Sequence, residues 1–181
     1  MEQFIFPIYC RGELVGQGFI ADGYFITAAH VVKGFPGCFT RIKGKVFVLS
    51  ESAPELKLIG HGDINRDPNM IDIAVFRSDE YHSPLQLSGY LPNQGDVLNN
   101  YCKHATADIS KLNPPHKMEM VVAIATGEEE GNYFYCKCKQ YPGSSGSPLI
   151  IDNRVVGVMH GGDCNELCAF LKVEVILKML P

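Results

Sequence analysis

Short apolar or alternating stretches recur along the chain, and residues that favour turns separate them. They lie at residues 4–9, 16–21, 24–29, 45–49, 73–76, 118–125, 133–137, 149–151 and 155–159. Stretches of this length with frequent turn signals are typical of an all-β barrel or sandwich, and they argue against alternating strands and helices. One segment differs, because Val173, Ile176, Leu177 and Leu180 recur at helical spacing and predict a short C-terminal helix.

Composition excludes several classes of function. The 181 residues carry a net charge of −4, and lysine and arginine are scattered along the chain, which argues against nucleic-acid binding. Apolar runs fall short of the roughly 20 residues that span a bilayer, so no membrane segment is expected. The start, residues 1–7, lacks the features of a signal peptide, and the odd number of cysteines, 7, favours reduced thiols. We therefore expect a cytoplasmic protein.

Three separated segments carry the chemistry expected of a serine hydrolase. Residues 143–148 read Gly-Ser-Ser-Gly-Ser-Pro, which suits a tight loop that exposes Ser145 as a nucleophile. Far upstream, an apolar strand pair around Asp22-Gly23 ends in His30, and Asp72 heads a stretch of apolar residues. A serine needs a base to remove its proton, and the base needs a carboxylate to orient it. The order along the chain is His, Asp, Ser.

The motifs that contain these residues resemble those of the chymotrypsin-like (trypsin-fold) serine proteases. The matching segments are Thr27-Ala28-Ala29-His30, Asp72-Ile73-Ala74, the loop at 143–148 and the substrate-binding strand at 155–162. The details are closest to compact bacterial glutamyl-endopeptidase-like and HtrA-like enzymes and to viral members. The resemblance implies two stacked antiparallel β-barrels: an N-terminal barrel at 1–90, a linker at 91–95, and a C-terminal barrel at 96–181 that the helix closes.

The resemblance also implies roles for individual residues. The catalytic triad consists of His30, Asp72 and Ser145, and the backbone N–H groups of Gly143 and Ser145 form the oxyanion hole. The implied function is a serine endopeptidase that acts on a protein or peptide and needs no cofactor or metal. Zymogen-type members have an aspartate before the nucleophile, whereas Ser144 stands there, so activation by a new N-terminal amine is not expected.

Substrate preference is less defined by the sequence. The predicted substrate-binding residues are Lys139, Met159, His160, Gly161 and Gly162. Lys139 takes the position where trypsin-like members have a selecting aspartate, so a preference for basic side chains is not expected. His160 is left with two interpretations, a residue of the substrate pocket or a structural histidine beside the triad.

Four cysteines also lie near the predicted pocket, Cys136, Cys138, Cys164 and Cys168. Their spacing allows a tetrahedral zinc site, but buried thiols or one disulfide fit better. Two alternatives to a general endopeptidase remain open. One is a pseudoprotease that only binds peptides, and the other is a viral enzyme that processes its own polyprotein.

Overall fold

The computed structural model describes residues 2–61, 67–105, 116–162 and 166–181. The first half of the chain contains seven strands and one short helix: β1 (Ile5–Cys10), β2 (Glu13–Ala21), β3 (Tyr24–Thr27), α1 (Ala29–Gly34), β4 (Phe39–Ile42), β5 (Lys45–Val48), β6 (Leu56–Ile59) and β7 (Ala74–Arg77). A single 3₁₀ turn at Glu2–Phe4 precedes β1. These strands form one antiparallel sheet in the order β5-β4-β1-β2-β3-β7-β6. This is the first of the two predicted barrels, open between β5 and β6.

The second half forms a closed barrel. Its elements are β8 (Gln86–Leu87), β9 (Val97–Ala105), β10 (His116–Glu130), β11 (Tyr133–Lys137), β12 (Pro148–Ile151), β13 (Arg154–Gly162), β14 (Leu167–Lys172) and α2 (Val173–Met179). The order is β12-β9-β10-β11-β14-β13-β8, and an extra pairing of β12 with β13 closes six strands into a ring. The predicted all-β, two-barrel fold with a C-terminal helix is confirmed.

The division of the chain follows the two sheets, with β8 already paired to β13 in the second sheet. The domain limits at residues 90 and 96, with a linker between them, stay a prediction. Among the described residues, no helix has the length and apolar character needed to cross a membrane.

Three apolar clusters stabilise this arrangement. One fills the first barrel around Ile8, Phe25 and Phe76, and one fills the second around Leu149 and Phe170. The third draws on both sheets and on α2, and its members include Ile5, Ile26, Val75, Val158 and Ile176. Because apolar burial is the main favourable term in folding, this shared cluster holds the two barrels together and fixes the cleft between them.

The segment before the predicted base ends differently from the prediction. The turn at Asp22-Gly23 has φ values of 48° and 79°, as a two-residue type I′ hairpin requires. The predicted strand at 24–29 stops at Thr27, and the chain then enters α1, so His30 lies on a short helix instead of at a strand end. Helix α1 buries Val31 and Val32 in the first barrel, which anchors the histidine between them and β3.

Candidate active site

The predicted base and carboxylate form a pair in the first barrel. Asp72 lies two residues before β7 and is 1% exposed. Its Oδ1 accepts the backbone N–H of His30 at 2.8 Å, and its Oδ2 lies 2.6 Å from His30 Nδ1. An ionised carboxylate can only accept hydrogen bonds, so Nδ1 carries the proton in this pair. The arrangement leaves His30 Nε2 as the atom that can take a proton from a nucleophile.

Asp72 stays ionised despite its burial. Burial alone would raise the pKa of this carboxyl group, but hydrogen bonds from His160 and His30 and the charges of both rings outweigh it, so the pKa is lowered. His160 Nδ1 lies 2.5 Å from Asp72 Oδ2, and the hydroxyl of Tyr133 accepts the backbone N–H of Asp72 at 3.1 Å. A buried charge is tolerated where it is well bonded in this way.

The predicted nucleophile loop, residues 143–148, is a compact turn with its own hydrogen bonds. Gly143 and Gly146 adopt φ values of 82° and 87°, which residues with a Cβ rarely take. The N–H of Ser144 donates to Tyr141 O at 3.1 Å, and the N–H of Gly146 donates to Met159 O at 2.9 Å. The loop therefore leaves Ser145 half-buried at the edge of the cleft.

The first barrel holds this loop in place through Gln17 on β2. The backbone N–H of Gln17 donates to Ser145 O at 2.8 Å, and its side-chain amide donates to Gly143 O at 3.1 Å. Thr27 in turn donates its hydroxyl to Gln17 O at 2.6 Å. Sequence reasoning missed Gln17, which is fully buried. An amide inside the apolar stretch 16–21 is the sequence signal that could have indicated it, because a buried amide needs hydrogen-bond partners.

The N–H groups that are predicted to form the oxyanion hole take no part in the hydrogen bonds that shape the loop. Gly143 and Ser145 use their carbonyl groups to bind Gln17, while their N–H groups donate to no acceptor among the residues that the structure describes. The Ser145 hydroxyl makes one long contact, 3.4 Å to His160 O. Two backbone N–H groups beside a nucleophile can stabilise an oxyanion.

Comparisons with solved structures support the architecture. The serine protease domain of the Sesbania mosaic virus polyprotein aligns over 99% of this chain and 92% of its own, with a TM-score of 0.67 and 17% identity. Rv3671c from M. tuberculosis (inactive form of a Ser-to-Ala mutant) aligns over 98% and 85%, with a TM-score of 0.65 and 17% identity. This chain has the chymotrypsin-like protease fold. No protein-family model and no curated protein matches its sequence.

The same fold also occurs without activity. An inactivated protease paralogue of the scabies mite aligns over 98% of this chain and 92% of its own, with a TM-score of 0.65 and 15% identity. At such identities the likeness concerns the chymotrypsin-like fold alone, so function has to be argued from the site.

A cavity of about 550 Å³ lies beside Ser145 in the second barrel. Two of the predicted substrate-binding residues, Lys139 and Gly162, line it together with Gln140 and Glu166, which sequence reasoning did not single out. The Lys139 ammonium lies 5.0 Å above the ring of Tyr141. Of the residues that the structure describes, those lining the cavity include one cationic and one anionic side chain as well as an amide.

Two other predicted substrate-binding side chains lie elsewhere. Met159 is fully buried in the core of the second barrel, because adjacent strand residues point to opposite faces. The His160 side chain contacts Asp72 and is not among the residues that line the cavity, which favours the interpretation of a structural histidine beside His30 and Asp72. Gly161 follows His160 on β13, and a Cβ there would be 4.0 Å from the Gln140 amide nitrogen.

Among the described residues, three side chains could meet at a metal ion, namely His30, Asp72 and His160. In a tetrahedral zinc site with bonds of about 2.0–2.1 Å, neighbouring ligand atoms lie about 3.3 Å apart. The two histidine nitrogens lie only 2.6 Å and 2.5 Å from the carboxylate oxygen. Hydrogen bonds account for these distances better than a shared ion does.

The cysteines near the cavity are buried thiols where the structure describes them. Cys136, Cys138 and Cys168 form no disulfide among the described residues, and the Cys168 thiol donates to Cys138 O at 3.1 Å. Burial raises the pKa of Cys136 to about 12, and a hydrogen bond with Cys168 together with burial raises the pKa of Cys138. The fourth predicted member, Cys164, lies outside the described residues.

Proposed function

We propose that this chain is a serine endopeptidase, and that Ser145, His30 and Asp72 hydrolyse peptide bonds through an acyl-enzyme. One observation carries the proposal: both oxygens of the buried Asp72 carboxylate bind His30, one at the backbone and one at Nδ1. A structural histidine needs no such double hold. An imidazole fixed in this tautomer is what a general base for serine requires.

The proposed reaction assigns a step to each of these residues. His30 Nε2 removes the proton of Ser145 as Oγ attacks the peptide carbonyl carbon, and Asp72 stabilises the imidazolium that forms. The N–H groups of Gly143 and Ser145 stabilise the oxyanion, each worth about 3 kcal/mol. His30 then gives the proton to the leaving amine as the C–N bond breaks. Water, activated by His30, attacks the ester carbonyl and releases the acid product while Ser145 regains its proton.

The test combines covalent labelling with turnover. A phosphonate probe should add its mass to Ser145, and the purified chain should cleave a peptide library. Ser145→Ala should abolish both, and His30→Ala should reduce both to background, because the two residues act as one unit. Ser144→Ala is the matched control, since its buried hydroxyl has no hydrogen-bond partner among the described residues. Labelling that persists in Ser145→Ala would contradict the assignment.

The alternatives predict different outcomes in the same experiment. A pseudoprotease, as in the inactivated scabies mite paralogue, would bind peptides without reacting with the probe. A polyprotein-processing role, suggested by the likeness to the Sesbania mosaic virus domain, would show as cleavage within sequences that flank this chain. The cytoplasmic location stays a prediction.

A further inference from the structure

His160 connects the two halves of the proposed site. It lies on β13 in the second barrel and is 6% exposed. Its ring donates toward Asp72, which belongs to the first barrel, and its backbone carbonyl faces the Ser145 hydroxyl at 3.4 Å. One residue of the second barrel thus contacts both the carboxylate that orients the base and the nucleophile.

Its position on the carboxylate is specific. His160 and His30 both present Nδ1 to the same oxygen, Asp72 Oδ2, and their rings meet edge to face with centroids 5.6 Å apart. The ring of Tyr133 also contacts His160, with centroids 5.4 Å apart. Among the described residues, the titratable groups that face His160 are therefore Asp72, His30 and Tyr133. A carboxylate oxygen can accept two hydrogen bonds at once, so both histidine rings can donate to Oδ2 at the same time.

We propose that His160 is a positioning residue of the triad, which holds the Asp72 carboxylate across the barrel interface and takes a share of its charge. This inference rests on the proposed function. By fixing the rotation of the carboxylate, His160 keeps Oδ1 on the backbone of His30 and Oδ2 on its ring. By competing for Oδ2, it limits how strongly Asp72 favours the protonated form of His30.

Two substitutions separate this role from simple packing. His160→Leu replaces the imidazole with an apolar side chain of similar volume and so removes the Nδ1–H donor. We expect kcat to fall about ten- to a hundredfold, the size of effect for a lost hydrogen bond to a charged group. KM should change less than twofold, and the acid limb of the kcat/KM profile should move to higher pH. His160→Asn places an amide N–H near the position of Nδ1, and its kcat should be at least tenfold higher than that of His160→Leu.

The direct contact can be measured without turnover. In ¹⁵N-histidine-labelled Ser145→Ala protein, NMR should show both His30 and His160 protonated at Nδ1, with downfield N–H signals. Asp72→Asn should shift both signals. This experiment distinguishes the two proposals, since an inactive wild-type protein with both signals would refute the function and leave the His160 contact standing.

Three results would overturn the role of His160. One is His160→Leu with wild-type kcat and pH profile. Another is a loss confined to KM or to side-chain preference, which would make His160 a substrate-pocket residue. The third is an Nδ1 signal of His160 that does not respond to Asp72→Asn, a result that stays informative if His160→Leu fails to fold.

Discussion

Asp72 is the residue on which the most contacts of the site converge. Its carboxylate accepts hydrogen bonds from the His30 backbone and from the rings of His30 and His160, while its own N–H donates to Tyr133. Removing water from a charge costs several kcal/mol, and only bonding of this kind offsets it. The sequence predicted the carboxylate and its partner His30, but the contributions of Tyr133 and His160 depend on how the barrels meet.

The lowered pKa of Asp72 makes the stability of the fold depend on pH. An unfolded aspartate titrates at about 3.9, and the folded state binds this proton only at a lower pH. The ionised carboxylate therefore stabilises the fold above about pH 4, and this contribution is lost as pH falls through the folded-state pKa. We expect Asp72→Asn to unfold at lower urea concentration than wild type near pH 7.

The difference between Asp72→Asn and wild type should shrink below about pH 4. Asp79→Asn is the control, because Asp79 is exposed and pairs with Arg77 at the surface, where such pairs contribute about 0–1 kcal/mol. Urea midpoints measured from pH 7 to pH 3 provide the test. A difference that stays constant over this range would show that the Asp72 charge does not stabilise the fold.

Lys139 and Glu166 line the same cavity, so we expect a preference for uncharged side chains before the scissile bond over lysine or arginine. Both residues are exposed, so the interaction of either charge with a charged substrate side chain contributes about 1 kcal/mol or less. Lys139→Ala leaves Glu166 unopposed and should raise kcat/KM for an arginine substrate, relative to its glutamine counterpart, up to about fivefold.

Glu166→Ala should change the arginine-to-glutamine ratio in the opposite direction. Cleavage profiles of a peptide library, recorded for wild type and both variants, check the prediction. A wild-type profile dominated by arginine and lysine would show that Lys139 does not face the bound side chain.

At the scale of elements, the nucleophile loop depends on its fit against β2. A Cβ on Gly146 would lie 2.1 Å from Gln17 O and 2.5 Å from the Thr27 hydroxyl, so the loop and the first barrel touch where only glycine fits. The sequence indicated a tight loop. It could not indicate this contact, because the two segments are far apart in the chain and meet only when the barrels pack.

Gly146→Ala should therefore destabilise the fold far more than its backbone angle alone explains. Gly95→Ala is a matched control, since Gly95 has φ 86° against 87° for Gly146, and a Cβ there has open space within 4 Å. The left-handed conformation alone costs about 1–2 kcal/mol. We expect Gly95→Ala to lower the free energy of unfolding by that amount. Gly146→Ala should lower it by more than about 3 kcal/mol and should also abolish activity. Equal losses of unfolding free energy in urea would show that the loop shifts to accommodate the added Cβ.

The sequence predicted elements well where the apolar pattern is local. Strand β11 at Tyr133–Lys137 matches its prediction, and α2 ends one residue earlier than predicted. Five strands went unpredicted, namely β4, β6, β8, β9 and β14. Strands β4, β6 and β8 span only two to four residues, and the polar pair at residues 99–100 interrupts the apolar pattern of β9. Strand β14 was missed although residues 167–171 form an unbroken apolar run. His30 was placed at a strand end because a single helical turn such as α1 leaves too short a pattern to detect.

At the scale of the whole molecule, the two barrels build the site jointly. The first contributes His30, Asp72 and Gln17, and the second contributes Ser145 and His160, while the shared apolar cluster keeps the two sets in register. The geometry of the loop thus comes from contacts between barrels. This explains how the loop can hold its shape with Ser144, 1% exposed, at the position where zymogen-type members place a carboxylate.

A peptide extension ahead of Met1 should consequently leave turnover unchanged. A buried N-terminal amine needs a buried carboxylate, because its desolvation costs several kcal/mol, and Ser144 offers only a hydroxyl. The loop depends instead on Gln17, which binds the carbonyl groups of Ser145 and Gly143. Turnover of a tagged chain is compared with that of the same chain after tag removal, with Gln17→Ala as the variant expected to lose activity in both forms. Activity that appeared only after tag removal would require an amine-dependent step and a carboxylate other than residue 144.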